Sequence, residues 1–474
     1  MRFSELTTPQ ARAAALMTQG GDARILLDPE THRNRYHSAP WPQDVLAYAS
    51  STANDISPEA FAHVAGLAPQ PYAEALDGLR ARIRAAYALP EDVEMVFAPS
   101  GTDLEYVALA CVHDRAGRLH NILLGADEVG RGCIHSAHGR FFAHETALGV
   151  VVDPGAAVPG LSDRVSIEDV PVRDMQGHAF TSGCMRDRIE TGIEAHAEAH
   201  ILVHVVHGSK TGLILPLLDD LDDLRARHGH RMTLVVDACQ ARITPAAVAD
   251  YLARDAIVFL TGSKFMGGPP FSGFALVPPA LSARAPALPA GFDVIFRRAE
   301  WPAGWPGADR LPDSGNDGLR LRLEAAIFEL ERFNRLPLAR AERVILAFHA
   351  AVRAGMVERL GGRRVAPYPP GRRGEGDAHP IEMRTLSTID LSRRPGAPDV
   401  DEAVRLHRAL VDGGIRLGQP VQCVRLEDGR WGATLRLGLS MPQLVRLDPL
   451  GDAALEASLA ADMDRIASAI EALS

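Results

Sequence analysis

RMTLVVDACQ (residues 231–240) and AIVFLTGSKFMGG (residues 256–268) are the two stretches that decide the fold of this chain. Each is a run of apolar and β-branched residues that ends in polar side chains, which is the pattern of a buried strand entering a turn. Asp237 ends the first run, and Lys264 follows the second. Because open α/β sheets bind ligands at the carboxyl ends of their strands, we expect these two side chains at one site.

The scarcity of lysine makes the position of Lys264 informative. Of the 50 basic residues 48 are arginine, and the two lysines are Lys210 and Lys264. A guanidinium stays protonated and cannot serve as a nucleophilic amine, whereas lysine loses its proton more easily when it is buried or lies beside another cation. Both lysines are therefore candidates for chemistry that arginine cannot perform.

The composition excludes several classes of function. A net charge of −10 argues against a protein that binds nucleic acid or an anionic membrane surface. The five cysteines have neither CxxC nor metal-ligand spacing, so they predict no disulfide framework and no zinc site. The first residues contain no apolar signal core, and no apolar run reaches the roughly 18 residues of a membrane span. We therefore expect a cytoplasmic protein without membrane or nucleic-acid partners.

Strand-like and helical segments alternate between residues 94 and 278. Such alternation predicts an α/β fold with a mostly parallel central sheet that is covered on both faces. Helices are expected at 102–112, at 184–198 after an N-cap at Ser182, and at 217–228. The expected strands are EMVFAPS, HNILLGAD, LGVVVD, SIEDVPV, HILVHVVH, RMTLVVDA, AIVFLTG and SGFALVP.

The later part of the chain is predicted to be helical over 317–360 and α+β beyond that. We expect an N-terminal segment (1–45) that packs on a small domain and on the active site. A large α/β domain would span 46–315, and a small α+β domain would span 316–474.

Further features complete the predicted site. FAPSGTDLEYVAL (97–109) predicts a strand, a turn and a helix, and the N–H groups of such a turn favour an anion. A buried carboxylate such as Asp237 needs a cation or good donors, and a protonated pyridine nitrogen is a suitable partner. Thr261 and Ser263 add hydroxyls suited to phosphate beside Lys264. An anion-binding turn, a carboxylate and a lysine are the parts that pyridoxal 5'-phosphate requires.

In these motifs the sequence resembles the class V aminotransferase and cysteine desulfurase group of fold-type I pyridoxal-phosphate enzymes, over most of the chain. SGTDLEYVAL resembles the phosphate loop and its helix, DACQ the D-x-x-Q pattern, and TGSKFMGGPPFSG the lysine segment. HGSKTGLILP resembles the segment that approaches the phenolic oxygen of the cofactor. ATLRLGLSMP resembles the strand that carries the arginine for the substrate carboxylate, and SGND (314–317) resembles a segment that reaches the phosphate of the neighbouring subunit.

The resemblance implies a fold-type I transferase fold, a homodimer with shared active sites, and an amino-acid substrate. It implies that Lys264 holds the cofactor as a Schiff base and moves the Cα proton, while Asp237 binds the pyridine nitrogen. The cofactor-binding residues would be Ser100, Gly101, Thr102, Ser209, Asp237, Gln240, Thr261, Ser263, Lys264 and Asn316. The substrate-binding residues would be Arg436 and, in YASSTANDISPEAF (48–61), Thr52.

Lys210 and several other residues leave alternatives open. Lys210 is either a second amine that acts in proton transfer or on a substrate anion, or a turn residue without a catalytic role. The sequence "RNRY" (33–36) is a candidate anion-binding lid. The remaining histidines are interpreted mainly as surface residues, and His207 is expected nearer to the site than His204, which lies on the same strand.

The sequence departs from the family at two points. The aromatic residue that stacks on the cofactor ring is either missing or supplied by His135, His138 or Phe141. The nucleophilic loop cysteine of desulfurases has a single candidate, Cys423, which the pattern predicts to be a buried strand residue. We therefore expect an aminotransferase-type reaction first. The alternatives are a lyase, a β- or γ-replacement or carbon–carbon bond-forming enzyme, then a cysteine desulfurase-like enzyme, and a non-catalytic binding protein.

Overall fold

The computed structural model describes residues 5–49, 51–130, 132–161, 164–367, 382, 385–394 and 399–473, except for the side chain of Asp127. The helices are α1 (Thr8–Met17), α2 (Pro58–Ala65), α3 (Tyr72–Tyr87), α4 (Leu104–Val112), α5 (Ala126–Val129), α6 (Cys133–Ala137), α7 (Ser182–Ala195), α8 (Leu218–His228), α9 (Pro245–Leu252), α10 (Pro279–Ser282), α11 (Asp317–Asn334), α12 (Leu338–Val352), α13 (Val400–Asp412), α14 (Met441–Leu447) and α15 (Asp452–Ala472). The strands are β1 (Leu46–Tyr48), β2 (Glu94–Ala98), β3 (Leu119–Leu124), β4 (Val165–Val170), β5 (His200–His207), β6 (Ile214–Leu215), β7 (Met232–Asp237), β8 (Ile257–Thr261), β9 (Gly273–Val277), β10 (Arg363–Val365), β11 (Leu386–Asp390), β12 (Ile415–Leu417) and β13 (Thr434–Gly438). Among these helices, none is long and apolar enough to cross a membrane.

A mixed, mostly parallel sheet forms the centre of the molecule. Its strand order is β2-β9-β8-β7-β5-β3-β4, with β6 paired to β5. The strands β4, β3, β5, β7 and β8 run parallel, and β9 is antiparallel to both of its neighbours. This architecture confirms the α/β fold that the continuous apolar runs predict, because strands buried on both faces need no polar alternation.

Two apolar cores cover the faces of the sheet. One face packs against α4, whose nine residues are all buried, and against the segment around Trp301 and Trp305. The other face packs against α3, α7, α8 and α9. Because the helices occupy the faces, the carboxyl ends of β5, β7 and β8 are left for polar residues.

The C-terminal part has sheets of its own. Strands β10, β11 and β13 form an antiparallel sheet, and β1 pairs in parallel with β12. The boundaries at 45 and 315 stay a prediction, with one local difference. Residues 46–48 were expected in the large domain, but their strand partner lies in the C-terminal part, since Leu46 pairs with Ile415.

Two local predictions are wrong. LGVVVD is not a strand of the sheet, because it lies in an excursion where glycines at 149 and 155 have positive φ and Val151 is 82% exposed. Ser182 is not the N-cap of α7, because Thr181 accepts the capping hydrogen bond from the Cys184 amide. Ser182 instead hydrogen-bonds Asp220 on α8. The other seven predicted strands are present.

Candidate active site

A cavity of about 290 Å³ lies where β7 and β8 end, beside the turn that leads into α4. It brings together eleven of the residues that the sequence singles out for a site. They are Thr52, Ser100, Gly101, Thr102, Lys210, Asp237, Gln240, Thr261, Ser263, Lys264 and Arg436. Two other predicted residues, Ser209 and Asn316, do not line this cavity. The size is at the lower end of the range of small-molecule sites.

Lys264 lies in a tight turn just beyond β8. The turn is closed by hydrogen bonds from the Gly267 amide to the Lys264 carbonyl and from the Gly268 amide to the Gly262 carbonyl. Asn54 holds the same turn from a distant part of the chain, because its Nδ2 donates to the carbonyls of Ser263 (3.2 Å) and Lys264 (2.7 Å). Asn54 is therefore a positioning residue for the lysine.

Replacing Asn54 with alanine is expected to lower the free energy of unfolding by about 2 kcal/mol, since it leaves two carbonyls of the lysine turn without their donor. Urea unfolding of the variant measures this change. Asn54→Asp is the matched control, because its side chain keeps the same shape but lacks the NH2 donor. It therefore separates the loss of the two hydrogen bonds from the loss of side-chain volume. An alanine variant as stable as the original protein would contradict the positioning role.

Asp237 and Gln240 are fixed by local contacts. The Asp237 carboxylate accepts a hydrogen bond from the Cys239 amide at 2.9 Å. The Gln240 Oε1 accepts from Arg242 Nη1 at 2.7 Å, so the side-chain NH2 is the polar group that remains for the cavity. Arg242 is fully buried, and Thr385 also accepts from its guanidinium. The D-x-x-Q motif thus presents a carboxylate and an amide donor.

The Ser100–Thr102 turn packs tightly under the lysine segment. A Cβ atom on Gly101 would lie 3.0 Å from the Thr261 methyl group, so a larger residue would displace that strand end. Ser100 Oγ donates to Asp103 at 2.5 Å, and burial raises the pKa of the Asp103 carboxyl to about 7. Ser272 also lines the cavity, and its buried hydroxyl makes no hydrogen bond to any described residue.

Arg24 supplies a cation beside this turn that sequence reasoning missed. Its guanidinium binds Asp22 through two nitrogens (2.7 and 2.6 Å) and donates to Ser100 Oγ at 3.4 Å. It also lies over the rings of Phe142 and Phe271, each 5.2 Å away. Burial opposes the charge, yet hydrogen bonding to Asp22 raises the pKa of Arg24 above its ordinary value, so Arg24 is a permanent cation in the cavity wall.

Arg436 lies on β13 and lines the same cavity. Its Nε donates to the Gln419 carbonyl at 2.8 Å, and Nη1 donates to the Lys210 carbonyl at 2.9 Å. Burial lowers the pKa of Arg436 to about 10, so it stays protonated at neutral pH. Two of its five N–H groups are thus used to orient it, and the donors on Nη1 and Nη2 that remain can bind a carboxylate.

Ser209 and Asn316 have other partners in this chain. Ser209 Oγ donates to Glu128 at 2.7 Å, and Glu128 forms a buried ion pair with Arg173 at 2.7 Å. Asn316 caps α11 through the Leu319 amide and donates to the Gly20 carbonyl at 3.0 Å. The predicted cofactor roles of both residues stay predictions, and the structure gives each a structural contact.

The expected ring-stacking residues lie away from the cavity. His135, His138 and Phe141 do not line it. From the same stretch of sequence, Val129, Gly130 and Cys133 do. The aromatic residues that line it are Tyr36 and Phe271, whose ring centroids are 6.0 Å apart. Of the predicted lid residues only Tyr36 reaches the cavity.

Cys423 is buried, as the sequence pattern predicts, and it does not line the cavity. Burial raises the pKa of its thiol to about 12, so the thiol is protonated at neutral pH. A nucleophilic cysteine needs the opposite, an accessible thiolate.

The prediction that His207 lies nearer to the site than His204 is wrong. His204 is 1% exposed and contacts Glu105, which lines the cavity. His207 instead hydrogen-bonds Tyr251 at 3.0 Å and lines a second cavity of about 600 Å³. That larger cavity contains neither lysine and is mainly apolar, so the smaller one is the candidate active site.

Comparison with known proteins identifies the architecture. No family model matches the chain, and no curated protein matches it by sequence. Among solved structures, it is similar to pyridoxamine-pyruvate aminotransferase from Mesorhizobium loti (TM-score 0.54, 17% identity, 91% of this chain and 98% of that chain). It is also similar to ureidoglycine-glyoxylate aminotransferase from Bacillus subtilis (TM-score 0.55, 13% identity, 91% and 99%). A third similar structure is the cysteine desulfurase CsdA from Escherichia coli (TM-score 0.54, 18% identity, 90% and 95%). The chain therefore has the fold of the class V aminotransferases and cysteine desulfurases, within fold type I of the pyridoxal-phosphate-dependent enzymes.

Proposed function

We propose that this protein is a pyridoxal-phosphate-dependent enzyme that acts on an amino acid, with an aminotransferase-type reaction. The observation that carries the proposal is that Lys264, Asp237, the Ser100–Thr102 turn and Arg436 all line one cavity. The aminotransferases among the structural neighbours support the reaction type.

The residues present fit the cofactor. Its phosphate would meet the Ser100–Thr102 turn, the Arg24 guanidinium and the unpartnered hydroxyl of Ser272. Its ring nitrogen would meet the Asp237 carboxylate, and its aldehyde would bind Lys264. When bound, pyridoxal phosphate supplies an electron sink that makes the Cα–H bond of an amino acid acidic.

Each side chain of the cavity has a distinct task in this proposal. Lys264 would hold the cofactor covalently, and its amine, when free, would accept and return the proton at the substrate Cα. Asp237 stabilises the positive charge on the ring nitrogen. Arg436 orients the α-carboxylate through its remaining donors. Lys210, whose backbone carbonyl accepts a hydrogen bond from Arg436, lines the same cavity and would lie near the substrate carboxylate.

Replacing Arg436 with lysine is expected to raise KM for an amino-acid substrate about 10- to 100-fold, with a smaller change in kcat. An ammonium group is a single point charge and cannot form the paired hydrogen bonds of a guanidinium to a carboxylate. Steady-state kinetics with an amino acid and with the matching amine that lacks the α-carboxylate measure the effect. An equal rise in KM for both substrates would contradict carboxylate binding by Arg436.

A screen of amino acids with a keto-acid acceptor, followed by mass analysis of the products, tests the reaction type. Keto-acid product from the amino-acid donor is the expected result. An eliminated or replaced side chain, or a new carbon–carbon bond, would instead indicate a lyase or a replacement enzyme. Formation of alanine and sulfide from cysteine would indicate a desulfurase. The burial of Cys423 argues against this outcome. The homodimer with shared sites stays part of the proposal.

A further inference from the structure

Glu105 and His204 form a buried polar pair that the proposed reaction does not use. Glu105 lies on α4 and is 2% exposed, and His204 lies on β5 and is 1% exposed. Glu105 Oε2 is 3.2 Å from His204 Nδ1. Within the described residues, neither that oxygen nor either ring nitrogen of His204 makes a hydrogen bond of ordinary geometry. Buried polar groups with so few partners are rare and call for a physical account.

The environment favours the neutral form of both members. Burial raises the pKa of Glu105 well above its ordinary value, and the charge of Asp237 raises it further. Burial also lowers the pKa of His204 to about 3. A buried ion pair would need additional hydrogen bonds to offset its desolvation, and the described surroundings provide none. A proton shared between Glu105 Oε2 and His204 Nδ1 lets this contact form without a net charge, while His204 Nε2 stays without a partner among the described residues.

The other titratable groups around Glu105 leave Asp237 as its charged neighbour. Cys133 on α6 and Cys239 beyond β7 both line the same cavity. Burial raises the pKa of both thiols above their ordinary values, and the Glu105 and Asp237 carboxylates contribute to that shift. Of these surrounding side chains, Asp237 is the one whose charge acts on Glu105 and raises the pKa of its carboxyl group.

We propose that Glu105 is a positioning acid of the cofactor site, which donates its proton to His204 and so leaves Asp237 as the single negative charge beside the cofactor ring. This assignment rests on the proposed function, because it concerns the charge that the ring nitrogen meets. Ionisation of Glu105 at alkaline pH adds a second negative charge to the cavity wall. That charge repels a phosphate-bearing cofactor, so its affinity falls as the proton is lost.

Infrared difference spectra of the cofactor-free protein test the protonation directly. The spectrum of the original protein minus that of Glu105→Gln is expected to contain the band of a protonated carboxyl group at neutral pH. Glu128→Gln is the matched control. Burial favours the protonated form of Glu128, but Arg173 and the hydroxyl donors hold its pKa below the ordinary value. Its difference spectrum is therefore expected to contain carboxylate bands. Carboxylate bands alone for Glu105 would overturn the proposal, and Glu105→Met gives the same readout should the amide disturb folding.

Two pH profiles complete the test. The pKa of Glu105 is higher in the folded than in the unfolded chain. The free energy of unfolding therefore falls as the pH rises toward the pKa that Glu105 has in the folded protein. The unfolding constant of the original protein relative to Glu105→Gln is therefore expected to rise with pH, by up to about tenfold per pH unit, once the pH exceeds the ordinary carboxyl pKa of about 4.3. The ratio of their pyridoxal-phosphate dissociation constants is expected to rise at alkaline pH. A constant unfolding ratio would contradict the neutral acid, and a constant binding ratio would contradict its role in the site. Absence of cofactor binding in both proteins would refute the proposed function while the other two readouts still decide the protonation.

Discussion

Replacement of Lys264 by alanine is expected to abolish covalent binding of pyridoxal phosphate and to lower the turnover rate by at least about 10⁴-fold. The variant loses both the amine that binds the aldehyde and the base that moves the Cα proton, and proton transfer by a positioned group alone contributes about 10²- to 10⁴-fold. The absorbance of the cofactor-loaded protein and single-turnover kinetics with an excess of enzyme measure the two losses. The expected loss is large because arginine, the common cation of this chain, cannot replace the amine.

Two control variants separate the amine from its charge and from the other lysine. Lys264→Arg keeps a cation in the turn but is expected to behave like the alanine variant. Lys210→Ala removes the other lysine of the chain and is expected to keep the covalently bound cofactor. Covalent binding that survives in Lys264→Ala and disappears in Lys210→Ala would show that Lys210 binds the cofactor. That result would contradict the proposal.

Asp237→Asn is expected to lower kcat about 10²- to 10³-fold while the protein stays folded. The amide keeps the shape of the side chain but removes the negative charge that stabilises a protonated ring nitrogen, and a preorganised electrostatic contact of this kind has an effect of that size. Asp237→Glu keeps the charge on a longer side chain and is expected to retain more activity than the amide. The kcat values of the three proteins with one substrate, together with thermal unfolding, separate the electrostatic effect from loss of folding. Equal kcat for the amide variant and the original protein would contradict a role for Asp237 at the ring.

The sequence could predict the architecture because the information is local along the chain. The runs HILVHVVH and TLVVD consist mainly of apolar and β-branched residues and are buried along nearly their whole length, as in strands covered on both faces. The polar residues that end these runs then fall at one edge of a parallel sheet. Asp237 and Lys264 are brought to one cavity by this rule, without any knowledge of side-chain contacts.

The residues that sequence reasoning missed lie outside the strands and α-helices, where a long-range contact determines the role. Asn54 holds the Lys264 turn across 210 residues of chain, and Arg24 reaches Ser100 across 76. No periodicity marks either residue. Ser272 follows the lysine segment closely, and a hydroxyl in the Gly/Pro-rich turn PPFSG was a signal that could have found it.

His204 and His207 show the limit of sequence reasoning within a strand. Both lie on β5, and both are buried. The position nearer the strand end suggested that His207 lies closer to the site, but β-strand side chains alternate between the faces, and three residues of separation put the two histidines on opposite faces. His204 therefore faces α4 and Glu105, while His207 faces Tyr251 on α9.

Reduction of the cofactor-loaded protein with borohydride, followed by digestion and peptide mass analysis, tests the central claim most directly. Borohydride converts a lysine–pyridoxal phosphate bond into a stable amine, so the modified residue can be identified. The expected result is one phosphopyridoxyl group on the peptide that contains Lys264, absent from the Lys264→Ala variant. No modification, or modification confined to Lys210 or the N-terminal amine, would contradict the assignment of this cavity as a pyridoxal-phosphate site.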